Sequence, residues 1–227
     1  MKLMIGNKNY SSWSMRPWVM LTQFDIPFEE VRVPFDGFEA DSKFKAVIGA
    51  VSPAGKVPVL VDDDLAVWDT LAIAEYVAEK FPAEALWPRD RRRRARARSV
   101  CAEMHSGFAT LRNAFGMNIE ASLPDVGARV LAEDAAARAE LARMIALWQS
   151  ALGESGGPFL FGEYSIADAY FAPVVMRMRT YALPVPADVA AYNERAVAAK
   201  GTAAWIRDAL AEKDFLPFEE PYRTSRD

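Results

Sequence analysis

Apolar and polar positions follow two rhythms along the chain. Up to about residue 81, short runs rich in β-branched residues (Lys2 to Ile5, Phe28 to Val33, Val57 to Val61, Leu65 to Trp68) interleave with stretches of helical period. Ser11, Ser12 and Ser14 precede Met15-Arg16-Pro17 and predict a helix start, because serine caps orphan N–H groups and proline is tolerated in a first turn. A second helix is predicted over 40–50, capped near Asp41 or Ser42. A third starts at Asp69-Thr70 and buries Leu71, Ile73, Ala74, Tyr76 and Val77. The order is β-α-β-α-β-β-α, with Asp62-Asp63-Asp64 turning between the last two strands.

Beyond Phe81-Pro82 the pattern is alanine-rich and helical, with no period-2 strand. Val100, Met104, Phe108, Leu111 and Phe115 predict one core-facing stripe, and Leu141, Met144, Ile145, Trp148 and Leu152 a second. Ser165 and Asp168 have capping-box spacing, and the helix they open, 166–178, is apolar on nearly every side, which predicts a central position. Two shorter helices, the last capped at Thr202, and a polar tail follow. The expectation is an α/β plus all-α chain: an α/β domain over 1–81, a linker over 82–90 and an all-helical domain over 91–227.

Composition narrows the function classes. With 227 residues and 52% apolar positions, the chain is long enough for a real core and is not a disordered or low-complexity segment. Its net charge of −4 argues against a protein that coats nucleic acid. One cysteine, Cys101, and one histidine, His105, supply neither an internal disulfide nor a zinc site, so no metal is expected. The early apolar run, Leu3 to Ile5, is too short for a signal-peptide core, and no stretch of 18 apolar residues occurs. A soluble, cytoplasmic protein without a membrane partner is expected.

The tract Val51-Ser52-Pro53-Ala54-Gly55-Lys56-Val57-Pro58-Val59-Leu60 carries the most chemistry. Proline cannot donate to a sheet ladder, so Pro58 belongs at a strand's start or edge, with a cis Val57-Pro58 bond as one conformation. The Val57 backbone is then open to an extended peptide ligand; a simple tight turn is the other reading. A phosphate loop does not fit, since five residues separate Gly49 from Gly55 and Val57 stands where a magnesium-binding hydroxyl is needed. No G-x-G-x-x-G follows the first strand, so a dinucleotide has no cradle.

These residues resemble the cytosolic glutathione S-transferases. Ser11-Ser12-Trp13-Ser14-Met15-Arg16 is similar to the serine-type motif of the zeta, theta and tau classes, in which the serine precedes an arginine by five residues, so Ser11 is the match. Pro53 to Leu60 resembles the family's cis-proline loop, Asp69-Thr70-Leu71-Ala72-Ile73 its Glu/Gln-Ser-x-Ala-Ile signature, and Tyr164 to Asp168 the capping box of its central helix. The resemblance implies a thioredoxin-like N-terminal domain that binds glutathione, a helical domain that contributes the second-substrate pocket, and a homodimer.

Thiol chemistry supports the first part. A free thiol has a pKa of about 8.5, and lowering it by about two units takes roughly 2.7 kcal/mol of preference for the thiolate. A hydroxyl donor at a helix N-terminus, where the dipole favours negative charge, supplies about that much. Ser11 is the expected donor to the glutathione sulfur, with Ser12 and Tyr10 as alternatives and plain helix capping as the other role of the serines. By resemblance, Asp69 pairs with the γ-glutamyl ammonium, Thr70 binds its carboxylate, the Val57-Pro58 backbone meets the peptide, and Lys43 and Lys56 are candidates for the glycyl carboxylate.

The second-substrate pocket is assigned to Trp13, Met104, His105, Phe108 and Arg112. His105 and Arg112 lie seven residues apart on the predicted long helix, two turns on one side, where Arg112 can meet an acidic acceptor and His105 can shift protons; packing and surface ion pairs are their alternative. A reductase is disfavoured because Ser11 stands where a reactive thiol is required. The seven arginines between Arg89 and Arg98 lack interleaved aromatic residues, so a solvated helix start or a subunit contact fits them better than nucleic acid. Three functions remain: glutathione transfer to an electrophile, glutathione-dependent cis-trans isomerisation of the maleylacetoacetate type, and non-catalytic carriage of apolar ligands.

Overall fold

In the computed structural model, which describes residues 1–226, four strands form one sheet: β1 (Lys2–Ile5), β2 (Glu29–Arg32), β3 (Val59–Asp62) and β4 (Leu65–Trp68), in spatial order β2-β1-β3-β4. β1 runs parallel to β2 and antiparallel to β3, and β3 and β4 form a hairpin through Asp63, whose φ is +53°. Alternation sends Leu3, Ile5 and Leu60 to one face, against helices α1 (Ser12–Gln23) and α3 (Thr70–Lys80). Met4 and Val59 point to the other face, where Phe44 and Ile48 of α2 (Lys43–Gly49) complete a smaller cluster.

Seven helices follow: α4 (Arg91–Ser106), α5 (Ala109–Ala114), α6 (Pro124–Glu133), α7 (Ala135–Ser155), α8 (Ile166–Thr180), α9 (Ala187–Ala198) and α10 (Lys200–Glu212). The core that starts under the sheet continues through α1 and α3 into α4, α7 and α8, so both halves of the molecule share it. The capping box at α8 forms, with the Ser165 N–H donating to Asp168 at 2.9 Å, and α8 is the most buried helix. Where α10 crosses α1, a Cβ on Gly201 would lie 2.3 Å from the Val19 carbonyl oxygen, so only glycine permits that approach.

Several expectations need correction. The stripe from Val100 to Phe115 is not one helix: α4 ends at Gly107, and Phe108, with φ +55°, turns the chain into α5. His105 and Arg112 therefore do not share a helix face. Thr202 is the third residue of α10, not its cap, which is Ala199. Pro17 falls in the second turn of α1 and leaves the Trp13 carbonyl without its intrahelical donor.

The polar tail is a structural strap. Asn7 donates to Asp214 at 2.7 Å and the Tyr10 hydroxyl to Glu220 at 2.7 Å, next to the bond from the Lys8 N–H to Glu212, the last residue of α10, at 2.8 Å. The arginine run opens α4 behind an Asp90 cap, and Arg98 makes a bidentate pair with Glu75 at 2.7 Å for each bond. Among the described residues, no helix is long and apolar enough to cross a membrane.

Candidate active site

Three neighbouring cavities meet at Trp13, the second residue of α1, which lines them all. The first, about 260 Å³, lies between the Lys56-Val57-Pro58 segment and the start of α3. Its floor is the N-terminus of α3: Asp69 caps the helix by accepting the Leu71 N–H at 2.9 Å, and Thr70, the first helical residue, is buried. The Val57–Pro58 bond is cis, and the ladder of β3 begins only at Val59, so the Val57 backbone lies ahead of the paired strand.

His105 belongs to this first cavity. Its Nε2 is 3.2 Å from Asp69 Oδ2, its Nδ1 is 2.8 Å from the Tyr170 hydroxyl, and that hydroxyl is 3.0 Å from Thr70 Oγ1. Burial pushes the Tyr170 phenol up to about 12. Sequence gives no signal for Tyr170, because an aromatic residue in a mostly apolar helix reads as core.

The second cavity, about 420 Å³, is lined by Tyr10, Ser11, Ser12, Arg112, Arg177 and Glu219, with Phe35, Phe38 and Phe44 on its apolar side. Trp13, Lys56 and Val57 border both it and the first. The serines differ in availability. Ser11 is nearly buried and donates to Ser14 Oγ at 2.7 Å, whereas Ser12 Oγ accepts from Arg177 Nη2 at 3.2 Å and keeps its own proton. Tyr10 is not a free donor: its proton goes to Glu220, and burial together with that contact raises it to about 12. Lys43 is exposed and lines none of the three cavities; Lys45, two residues on, lines the second and donates to the Gly55 carbonyl at 2.8 Å.

The third cavity, about 350 Å³, opens beside Ser12 and has Met104, Arg16, Arg112 and Arg177 on its wall and no carboxylate among the described residues. Arg16 and Arg177 are nearly fully buried, and the Nε of all three arginines is buried without a hydrogen-bond partner. Arg16 stacks between the Trp13 and Tyr170 rings, 4.3 and 4.0 Å from their centres. Burial, with the charges of Arg16 and Arg112 adding to it, lowers Arg177 to about 10. Uncompensated buried cations are costly, so this wall favours an anion. An arginine near the end of the mostly apolar α8, followed two residues on by a second, was the available sequence signal for Arg177. Phe108 lines none of the three cavities and packs in the core. Cys101 is buried and its thiol is pushed up by burial, which leaves it chemically inert. Among the described residues, no group of three or more His, Cys, Asp or Glu is arranged to hold a metal ion.

Comparison with known proteins gives concordant matches. The chain is 36% identical over 103 residues to a probable maleylacetoacetate isomerase of Caenorhabditis elegans and 37% identical over 93 residues to glutathione S-transferase Z1 of Arabidopsis thaliana. These matches cover 45% and 39% of this chain, and the chain spans less than half the length of either relative, 46% and 40%. A glutathione transferase homologue from Burkholderia gl BGR1, solved with bound glutathione, superposes with a TM-score of 0.69 at 25% identity, over 92% of this chain and 98% of that one. The family models for the glutathione S-transferase N-terminal and C-terminal domains match residues 10–80 and 93–208. With a serine-lined α1 start, a cis-proline loop and an α3 N-terminus around one groove, and both family domains matched in order, the chain belongs to the glutathione S-transferase family.

Proposed function

We propose that the protein binds glutathione along the first two cavities and directs its thiolate at an electrophilic carbon held in the second. The observation that carries this reading is the shared border of those cavities. Val57 and Lys56 lie on one side, the Asp69-Thr70 helix start closes one end, and the Ser12 hydroxyl stands at the other. Asp69 meets the ammonium of the γ-glutamyl group and Thr70 its carboxylate, the Val57 backbone pairs with the peptide, and Lys45 and Lys56 meet the glycyl carboxylate.

Ser12 takes the sulfur-donor role that sequence spacing gave to Ser11. Its oxygen is held by Arg177, so its proton is free to point at sulfur, and the nearby guanidinium adds a field that favours the anion. The thiolate then attacks carbon, a C–S bond forms, and the leaving group departs with the bonding electrons. Titration calorimetry with reduced glutathione and a conjugation assay with an activated aryl halide test the proposal. Absence of glutathione binding removes it. Tight binding of apolar anions without conjugation of any electrophile leaves the carrier reading instead.

The third cavity favours a second reading. Three guanidinium groups with unpartnered Nε atoms suit an acceptor that carries carboxylates, and a cis-enoyl diacid is such a compound. Thiolate addition to its double bond, rotation about the resulting single bond and elimination would return glutathione unchanged and release the trans isomer. Product analysis after incubation with a cis-enoyl diacid distinguishes isomerisation from conjugation. Family likeness supports a cytoplasmic homodimer, which sedimentation equilibrium tests for the assembly state.

A further inference from the structure

We infer that Glu219 is a specificity-determining residue of the second cavity, and that it selects electrophiles carrying an uncharged hydroxyl donor. This rests on the proposed reading that the second cavity holds the electrophile.

Glu219 belongs to the C-terminal tail, where it ends a short helical turn, Pro217–Glu219. Its neighbours pin it on both sides. The Phe218 ring meets Phe38 edge-on at 5.5 Å, and Glu220 accepts from Tyr10 at 2.7 Å and from Asn118 at 2.9 Å. The Glu219 N–H itself donates to the Leu216 carbonyl at 2.8 Å. Between these anchors the side chain is half-buried and lines the second cavity together with Ser12, Arg112 and Arg177. Among the described residues lining that cavity it is the one carboxylate.

That carboxylate is left over by the fold. Among the described residues it accepts no hydrogen bond and has no ion-pair partner. Arg177 acts on it only through space, because its Nη1 donates to the carbonyls of Arg112 and Phe115 and its Nη2 to Ser12. Lys45 donates to the Gly55 carbonyl instead. Burial raises the Glu219 carboxyl above its ordinary value, against the Arg177 charge, which lowers it. Ionised or protonated, the group offers an acceptor oxygen to whatever fills the cavity.

An electrophile entering here displaces water from that oxygen. One that brings no donor leaves a half-buried polar group unpaired, whereas one that brings a donor restores the bond. The donor is uncharged, since Lys45, Lys56, Arg112 and Arg177 line the same cavity and oppose an ammonium. The rings of Phe35, Phe38 and Phe44 on the apolar side suit an aromatic or alicyclic body.

The probes are 3- and 4-(chloromethyl)benzyl alcohol and their methyl ethers. Each pair has the same electrophilic carbon and differs in the hydroxyl proton, and the two isomers carry it at different distances from that carbon. In every case the C–S bond forms as chloride leaves with the bonding electrons, and the thiol proton passes to buffer. For the better isomer, kcat/KM of the wild type is expected to favour the alcohol over its ether by about 10- to 100-fold. Glu219→Met keeps the side-chain length without an oxygen and is expected to bring that ratio close to one.

A wild-type ratio near one for both isomers, or an unchanged ratio in Glu219→Met, overturns the inference. If that variant does not fold, Glu219→Gln decides: its neutral oxygen is a weaker acceptor, so the ratio is expected to fall severalfold, and an unchanged ratio overturns the inference. Glutathione binding without conjugation of any of the four chlorides overturns it too while leaving the glutathione site in place. Absence of glutathione binding in titration calorimetry removes the proposed function itself.

Discussion

Arg177 donates from Nη2 to the Ser12 hydroxyl oxygen at 3.2 Å and so ties the central helix α8 to the first residue of α1. The contact fixes the hydroxyl's acceptor side and leaves its proton for the groove. It also brings a buried cation beside the place where a thiolate would sit.

Ser12→Ala should lower kcat/KM for conjugation by about 100-fold, the usual cost of removing one donor to a developing anion, with little change in glutathione KM. The pH–rate profile should move to higher pH because the bound thiol loses its donor. Ser11→Ala should retain most activity. Steady-state kinetics of both variants across pH 6 to 9 provide the check, and the opposite ranking would assign the role to Ser11.

Arg112 carries a buried Nε without a partner on the wall of the arginine-lined cavity. Arg112→Gln should weaken turnover of a dicarboxylate acceptor about 10- to 100-fold, mainly through KM, because a charge-assisted contact is lost. A neutral aryl halide should be affected much less. Equal loss with both acceptors would count against an anion-binding role.

Glu220 accepts from Tyr10 at 2.7 Å and Asn118 at 2.9 Å and pairs with Arg223 at 2.5 Å. Glu220→Ala removes the buried carboxylate that these three groups share and should cost about 3–5 kcal/mol of stability, as expected for a buried pair broken on one side. Freeing the Asn7–Tyr10 loop should also reduce turnover more than glutathione affinity. Urea unfolding and kinetics measure the two effects.

Asp168 accepts from the backbone of Leu160 and Ser165 and from Tyr192, yet burial dominates and raises its carboxyl from 3.8 to about 6. The folded state thus binds this proton more tightly than the unfolded chain. Its stabilising contribution is fully present below about pH 4 and is lost as pH rises through about 6. Asp168→Asn turns an amide toward backbone donors and should cost about 1–3 kcal/mol at pH 7. Wild type should exceed the variant by more at pH 5 than at pH 7 in urea unfolding; a pH-independent difference would contradict the assignment.

By itself, the sequence determined the features that depend on neighbours within a few residues. β1 and β4 have the predicted bounds, Asp69 and Thr70 start α3, and Ser165 and Asp168 form their capping box, because strand alternation, helix caps and turns are short-range. The tertiary structure decided what those elements face. Periodicity gives the buried side of a helix but not its neighbour, so it could not bring Arg16, Arg112 and Arg177 to one wall or join His105 to Thr70 through Tyr170. Nor could it show that Ser11 gives its proton to Ser14 while Ser12 accepts from Arg177, or that Lys45 lines the second cavity, because those contacts rest on side chains placed by the tertiary structure. The break at Gly107-Phe108 and the strap over Tyr10 belong with these. A helical stripe can continue past a turn when both pieces pack on one core, and a polar tail becomes ordered only when buried partners such as Tyr10 and Asn118 are there to meet it.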